Sequence, residues 1–125
     1  MDILFKNADI LTMRDDTPVV ENGFVGVADG FIRHVWQTRP GETTAREIDC
    51  RGDILMPGLV NAHAHTAMCL MRGYADDYTL QEWLFERVFP VEAGFGAAEI
   101  LAGAKLGFAE MIASGTTSVS DTYFH

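Results

Sequence analysis

The sequence predicts an α/β chain in two parts, a β-rich opening half followed by a strand–helix–helix–strand unit. Three observations carry that expectation. The first half alternates strand-forming stretches with turn signals such as Asp29-Gly30. The character then changes at Pro57-Gly58. Beyond it, two segments of helical periodicity lie between the apolar Leu59-Val60 and the β-branched "TTSVSDTYF".

Residues 3–13 are apolar-rich and suit a strand. "FVGVADGFIRHVW" reads as a hairpin with arms at 25–28 and 31–36, because Asp-Gly supplies the positive-φ residues a two-residue turn demands. His34 falls within the second arm and is read as a strand residue rather than a ligand. "RPGETTA" is a polar loop, and Ile48 to Met56 reads as one or two short strands. Leu59-Val60 suits a parallel strand covered on both faces. Thr79 with Glu82 forms a capping box, each side chain satisfying a free backbone N–H at a helix start. Leu80, Trp83, Leu84 and Val88 follow at helical spacing toward a core, and Pro90 is expected to stop that helix. A second helix fits 97–113, with Ile100, Leu101, Ala104, Phe108, Met111 and Ile112 on one stripe and Ser114-Gly115 as its closing signal. The order strand, helices, strand implies one right-handed crossover with two parallel strands side by side.

At 125 residues the chain fits one domain, or a small domain with part of another. Hydrophobic residues at 48% and charged residues at 22% exclude a disordered chain. Eighteen acids against 9 bases give a net charge of −9 with no basic cluster, which argues against nucleic-acid polymers and anionic membranes as partners. Asp2, Lys6 and Asp9 interrupt the N-terminus where a signal peptide needs an apolar core. No apolar run approaches the roughly 18 residues of a spanning helix. Cys50 and Cys69 make no disulfide framework, so reduced thiols in the cytoplasm are expected, Cys69 as a buried structural thiol. A (β/α)8 barrel needs roughly 200 residues or more, so this chain could supply only its first two strands. A fragment is the favoured reading.

"PGLVNAHAHTAM" holds the chief candidate site. Side chains alternate along a strand, so His63 and His65 share one face, roughly 7 Å apart. Two neutral imidazoles so placed can bind one metal ion together, at about 2.0–2.1 Å each. A lone H-x-H is also found as two solvated residues at a strand end. Asp76 and Asp77 read as solvated loop carboxylates. Trp83 could wall a substrate pocket, though its spacing suits core packing. Asp121 and His125 stand at the end of the second strand, with His125 a candidate for substrate binding.

The stretch "ILMPGLVNAHAHTAMCLMRGYADDYTLQEWLFERVFPVEAGF", with "LGFAEMIASGTTSVSDTYFH" after it, resembles the amidohydrolase superfamily. Within it the likeness is to 5′-methylthioadenosine/S-adenosylhomocysteine deaminases and the related triazine chlorohydrolases. The P-G-[LF]-[VI]-x-x-H-x-H junction, the R-G-x-x-D-D loop and the S-G-T-T strand stand in the family's order and spacing, and "DILFKNADILTM" resembles its opening segment. The resemblance implies a β-sandwich segment at 1–56, then at 57–125 the first strand–helix–strand part of a truncated TIM-like (β/α)8 metal-dependent hydrolase barrel. It implies that His63 and His65 bind one divalent ion, zinc first and iron as the alternative. It implies that Glu92, in F-P-x-E, accepts hydrogen bonds from the ribose hydroxyls of a substrate. The family's other metal ligands and its acid/base groups come later than residue 125, so no catalytic residue is expected within this chain, and alone it should be inactive. The activity implied is hydrolytic deamination of an adenosine-type nucleoside, a small-molecule substrate. The alternatives are a chlorohydrolase or aminohydrolase acting on a triazine- or pyrimidine-like ring, and a stand-alone non-catalytic α/β module. Assembly as a homo-oligomer is left open.

Overall fold

The computed structural model describes residues 1–123; residues 124–125 lie outside the described set. The chain divides into two compact units, Met1–Pro57 and the part from Gly58 onward.

The first unit is a five-stranded sheet. Strand β1 (Ile3–Leu11) pairs antiparallel with β2 (Val19–Ala28), which pairs antiparallel with β3 (Phe31–Trp36). Asp29 and Gly30, at φ 53 and 75, turn the β2–β3 hairpin as expected. Along its other edge β1 meets two short parallel strands, β4 (Arg46–Asp49) and then β5 (Ile54–Leu55). Arg51 and Gly52, both at positive φ, make the turn that separates them. Ala8, Ile10, Val20 and Val25 are buried together, with Phe5, Val27, Val35 and Leu55 packed against them. His34 lies in β3, its Nε2 2.7 Å from the Thr38 carbonyl oxygen, which agrees with a strand residue.

The second unit is built on two parallel strands, β6 (Leu59–Ala64) and β7 (Thr116–Asp121). A 3-10 segment, Thr66–Met71, follows β6 directly. The capping box forms as expected, with Thr79 N–H to Glu82 Oε2 at 3.2 Å and Glu82 N–H to Thr79 Oγ1 at 3.4 Å. From there the chain is helical over 80–92, and it does not stop at Pro90. Glu82–Val88 is a π-helical stretch in which Phe89 N–H reaches Leu84 O, five residues back. The α-helix α1 (Phe89–Glu92) takes over with Pro90 in its first turn, where no proline N–H is required. The wide turn removes the clash that would have ended an ordinary helix. Glu92, beyond the expected stop at Pro90, is thus the last residue of α1.

Helix α2 (Ala97–Ala113) has the expected bounds, and Gly115 at φ 90 follows its end. Its buried face differs from the expected stripe. Leu101 (55% exposed) and Ile112 (74%) stand open, while Gly103 and Gly107 are buried. These glycines, one turn apart, form a groove for the 3-10 segment. A Cβ on Gly103 would collide with the Ala67 backbone, and one on Gly107 with the Thr66 side chain. Leu59, Val60 and Leu80 are likewise exposed rather than covered, because β6 and β7 alone make up this sheet among the described residues. Arg72, just past the 3-10 segment, grips Glu110 of α2 through two hydrogen bonds of 3.0 and 2.6 Å.

Glycine to alanine normally favours a helix by up to about 1 kcal/mol. At Gly103 or Gly107 the sign should reverse, because overpacking against the Ala67 backbone or the Thr66 side chain costs about 1–3 kcal/mol. Chemical denaturation of Gly103→Ala should show a lower midpoint; an unchanged or raised midpoint would remove the groove from the account.

Candidate metal centre

The H-x-H pair lies where β6 ends. His63 is still in the strand, its N–H bonded to Asn61 Oδ1 at 3.2 Å, and His65 is the residue before the 3-10 segment. Both side chains turn to one side, as the alternation implies, and their Nε2 atoms stand 3.1 Å apart. The rings meet edge to face, with centroids 4.9 Å apart and planes at 82°. A point about 2.0–2.1 Å from both nitrogens subtends roughly 100° between them, an angle open to tetrahedral or five-coordinate ions. Two neutral imidazoles with converging lone pairs therefore fit a divalent ion of zinc's type. Among the described residues no third His, Cys, Asp or Glu joins them around such a point.

The end of β7, parallel to β6 and beside it, supports this pair. Asp121 accepts the Thr66 N–H, at 3.4 and 3.3 Å to its two oxygens, and the Tyr123 N–H at 3.0 Å. Burial opposes the charge of Asp121, but hydrogen bonds from Thr66 and Tyr123, with His65 nearby, hold its carboxyl below the usual aspartate range. The Thr122 hydroxyl lies 3.1 Å from the Ala64 carbonyl oxygen and 3.5 Å from His65 Nδ1. Tyr123 is half-buried, and its phenol interacts with the Glu92 carboxylate.

Of the sequence candidates, His63 and His65 are brought together, and Glu92 is half-buried at the end of α1, against Tyr123. Trp83 is half-buried on the π-helical stretch, its N–H bonded to the Thr79 carbonyl. Asp76 and Asp77 are exposed, as solvated loop residues should be. Cys69 is a free thiol directed at the Gly103 carbonyl oxygen, 3.1 Å away. His125 lies outside the described residues. Thr122 and Tyr123 escaped the sequence reading; the signal for them is their place immediately after a strand parallel to the H-x-H strand.

The chain belongs to the amidohydrolase family, matched over residues 54–125. It is 43% identical over 129 residues to the 5-methylthioadenosine/S-adenosylhomocysteine deaminase of Acetivibrio thermocellus, covering 100% of this chain and 30% of that protein. It is 45% identical over 124 residues to the 5′-deoxyadenosine deaminase of Methanosarcina acetivorans, covering 99% and 28%. Among solved structures, an adenosine deaminase from Xanthomonas campestris with bound zinc is similar at TM-score 0.88 and 38% identity, over 98% of this chain and 29% of that one. Atrazine chlorohydrolase from Arthrobacter aurescens complexed with zinc is similar at 0.87 and 26%, over 97% and 28%. The chain spans about 30% of the length of the curated relatives it matches. No helix among the described residues is long and apolar enough to cross a membrane.

Burial and the neighbouring Glu92 carboxylate push the Tyr123 phenol well above its ordinary value of 10.0. A pKa raised in the folded state gives stability that is fully present below the unfolded value and is lost as pH climbs through the raised one. Alkaline titration followed by phenolate absorbance should therefore show one late-ionising tyrosine. Tyr123→Phe should remove it, and Glu92→Gln should bring it earlier. A late phase that survives Tyr123→Phe would sink the assignment.

Proposed function

We propose that this chain is the N-terminal part of a metal-dependent hydrolase that deaminates an adenosine-type nucleoside such as S-adenosylhomocysteine or 5′-methylthioadenosine. The observation that carries the reading is the convergence of His63 and His65 Nε2 at the end of a parallel strand, the place where barrel enzymes keep their chemistry. Residues 57–125 then read as the opening strand–helix–strand part of a TIM-like barrel, and 1–56 as a β-sandwich segment. Zinc bound in similar structures supports zinc as the ion held by the pair, with iron the alternative.

When bound, such an ion supplies Lewis-acid activation of water at neutral pH. The protein's own part is the placement of groups around it. His63 and His65 offer neutral nitrogen lone pairs from a strand end fixed by β7 and the glycine groove. Glu92 offers carboxylate lone pairs to the ribose hydroxyls; one Tyr123 contact leaves it acceptor capacity for both. The acid/base group comes from outside these residues in this reading, so 1–125 alone is not a catalyst. Similarity to a chlorohydrolase keeps attack on a triazine ring as the second reading.

Two outcomes are expected in the whole protein. Replacing His63 or His65 by alanine should strip bound metal and abolish turnover while leaving the fold intact, measured by metal analysis beside circular dichroism. A double variant that keeps its metal stoichiometry would end the metal reading.

Glu92→Ala should cost ribosides roughly 2–4 kcal/mol in kcat/KM, since hydrogen bonds to a charged group are the strong ones. A triazine without ribose should lose little. Equal loss on both substrates would make Glu92 structural, and no loss on either would return it to solvent.

A further inference from the structure

The hydrogen bonds after β7 leave one group without a stated purpose, the Thr122 hydroxyl. It is partly buried and touches two acceptor-bearing groups, Ala64 O at 3.1 Å and His65 Nδ1 at 3.5 Å. A hydroxyl has a single proton to give and two lone pairs to offer. The Ala64 carbonyl already takes the Thr122 N–H at 2.8 Å, and its second lone pair is the nearer and better-placed site for the hydroxyl proton. With that proton committed, Thr122 Oγ1 can meet Nδ1 only as an acceptor. A hydrogen bond across that 3.5 Å contact then requires the His65 proton on Nδ1, which would leave its Nε2 as a bare lone pair facing His63.

We propose that Thr122 is a positioning residue for the metal centre, its hydroxyl fixing the ring orientation and Nδ1–H tautomer of His65 so that Nε2 is always ready to ligate. This rests on the reading of His63 and His65 as metal ligands. It extends that reading to a residue on a different strand, 57 positions along the chain from the ligand it serves. Partners of this kind raise ligand basicity and hold the ring in place, and losing one typically lowers metal affinity 10–100-fold.

The test uses the whole protein, stripped of metal and titrated with zinc against a chromophoric chelator. Thr122→Val keeps the shape and deletes the hydroxyl, and it should weaken zinc binding by about 10–100-fold. Thr122→Ser keeps the hydroxyl and should recover most of that loss, which a purely steric role would not allow. In the unsubstituted metal-free protein, nuclear magnetic resonance of isotope-labelled histidine should find the His65 proton on Nδ1, and this measurement needs no variant to fold. Native affinity in Thr122→Val would overturn the proposal. So would equal weakness in Thr122→Ser, or a proton on His65 Nε2. His65→Ala separates the two layers: if it leaves zinc affinity unchanged, the metal reading itself fails, while the tautomer spectrum still decides what Thr122 does. If His65→Ala loses zinc and Thr122→Val does not, only the positioning role falls.

Discussion

The candidate site depends on a steric constraint, the fit of the 3-10 segment into the groove that Gly103 and Gly107 open on α2. The chain must leave β6 at His65 and turn at once, and Thr66 and Ala67 are buried against bare helix backbone as it does so. Interiors are packed densely enough that a methyl group on either glycine has no room to be absorbed. Glycine costs the helix some propensity at both positions, and close approach of two backbones is what it obtains in return. The place at which His65 leaves the strand follows from that approach, since Thr66 and Ala67 are seated directly after it.

The second constraint comes from β7. Asp121, Thr122 and Tyr123 are consecutive, and each reaches a different part of the site: the Thr66 N–H, the His65 ring with the Ala64 carbonyl, and the Glu92 carboxylate. Past the last ladder bond the pleat no longer dictates alternation, so neighbouring side chains are free to diverge. One strand end thereby sets the spacing between the histidines proposed as metal ligands and the carboxylate proposed for ribose. The Arg72–Glu110 pair adds a clamp at the far end of the 3-10 segment, but it is exposed, and pairs of that kind contribute little.

What could be read from the sequence was what neighbours in sequence decide. The Asp29-Gly30 turn, the Thr79–Glu82 box and the bounds of α2 all rest on groups within a few residues of one another. Both histidines turned to one face because strand alternation is equally local. Pro90 departs from expectation because the rule for proline assumes a carbonyl four residues back, and the π-helical stretch before it moves that carbonyl. The buried face of α2 departs from expectation because apolar periodicity shows where side chains could pack, whereas close approach selected the glycines. The exposure of Leu59, Val60 and Ile112 reflects what lies across from them, which no stretch of local sequence encodes. Thr122 and Tyr123 meet partners far away in the chain, and only their place after a strand parallel to the H-x-H strand points to those meetings.

The contact proposed for Thr122 makes the two histidines unequal. Two bare lone pairs 3.1 Å apart repel, and a cation shared between them, as proposed, would turn that repulsion into attraction. If Thr122 holds the His65 proton on Nδ1, His65 Nε2 is ready to meet such a cation. No hydrogen bond engages His63 Nδ1 among the described residues, so nothing opposes the opposite tautomer in that ring. In the proposed metal centre the cost of selecting a tautomer then falls on His63, whose proton must stand on Nδ1 for its Nε2 to ligate. His65 is preorganised, and His63 is the adjustable partner. The two Nε2 atoms already stand at a separation that a single ion could share, so the proposed metal centre asks for little movement of the strand end.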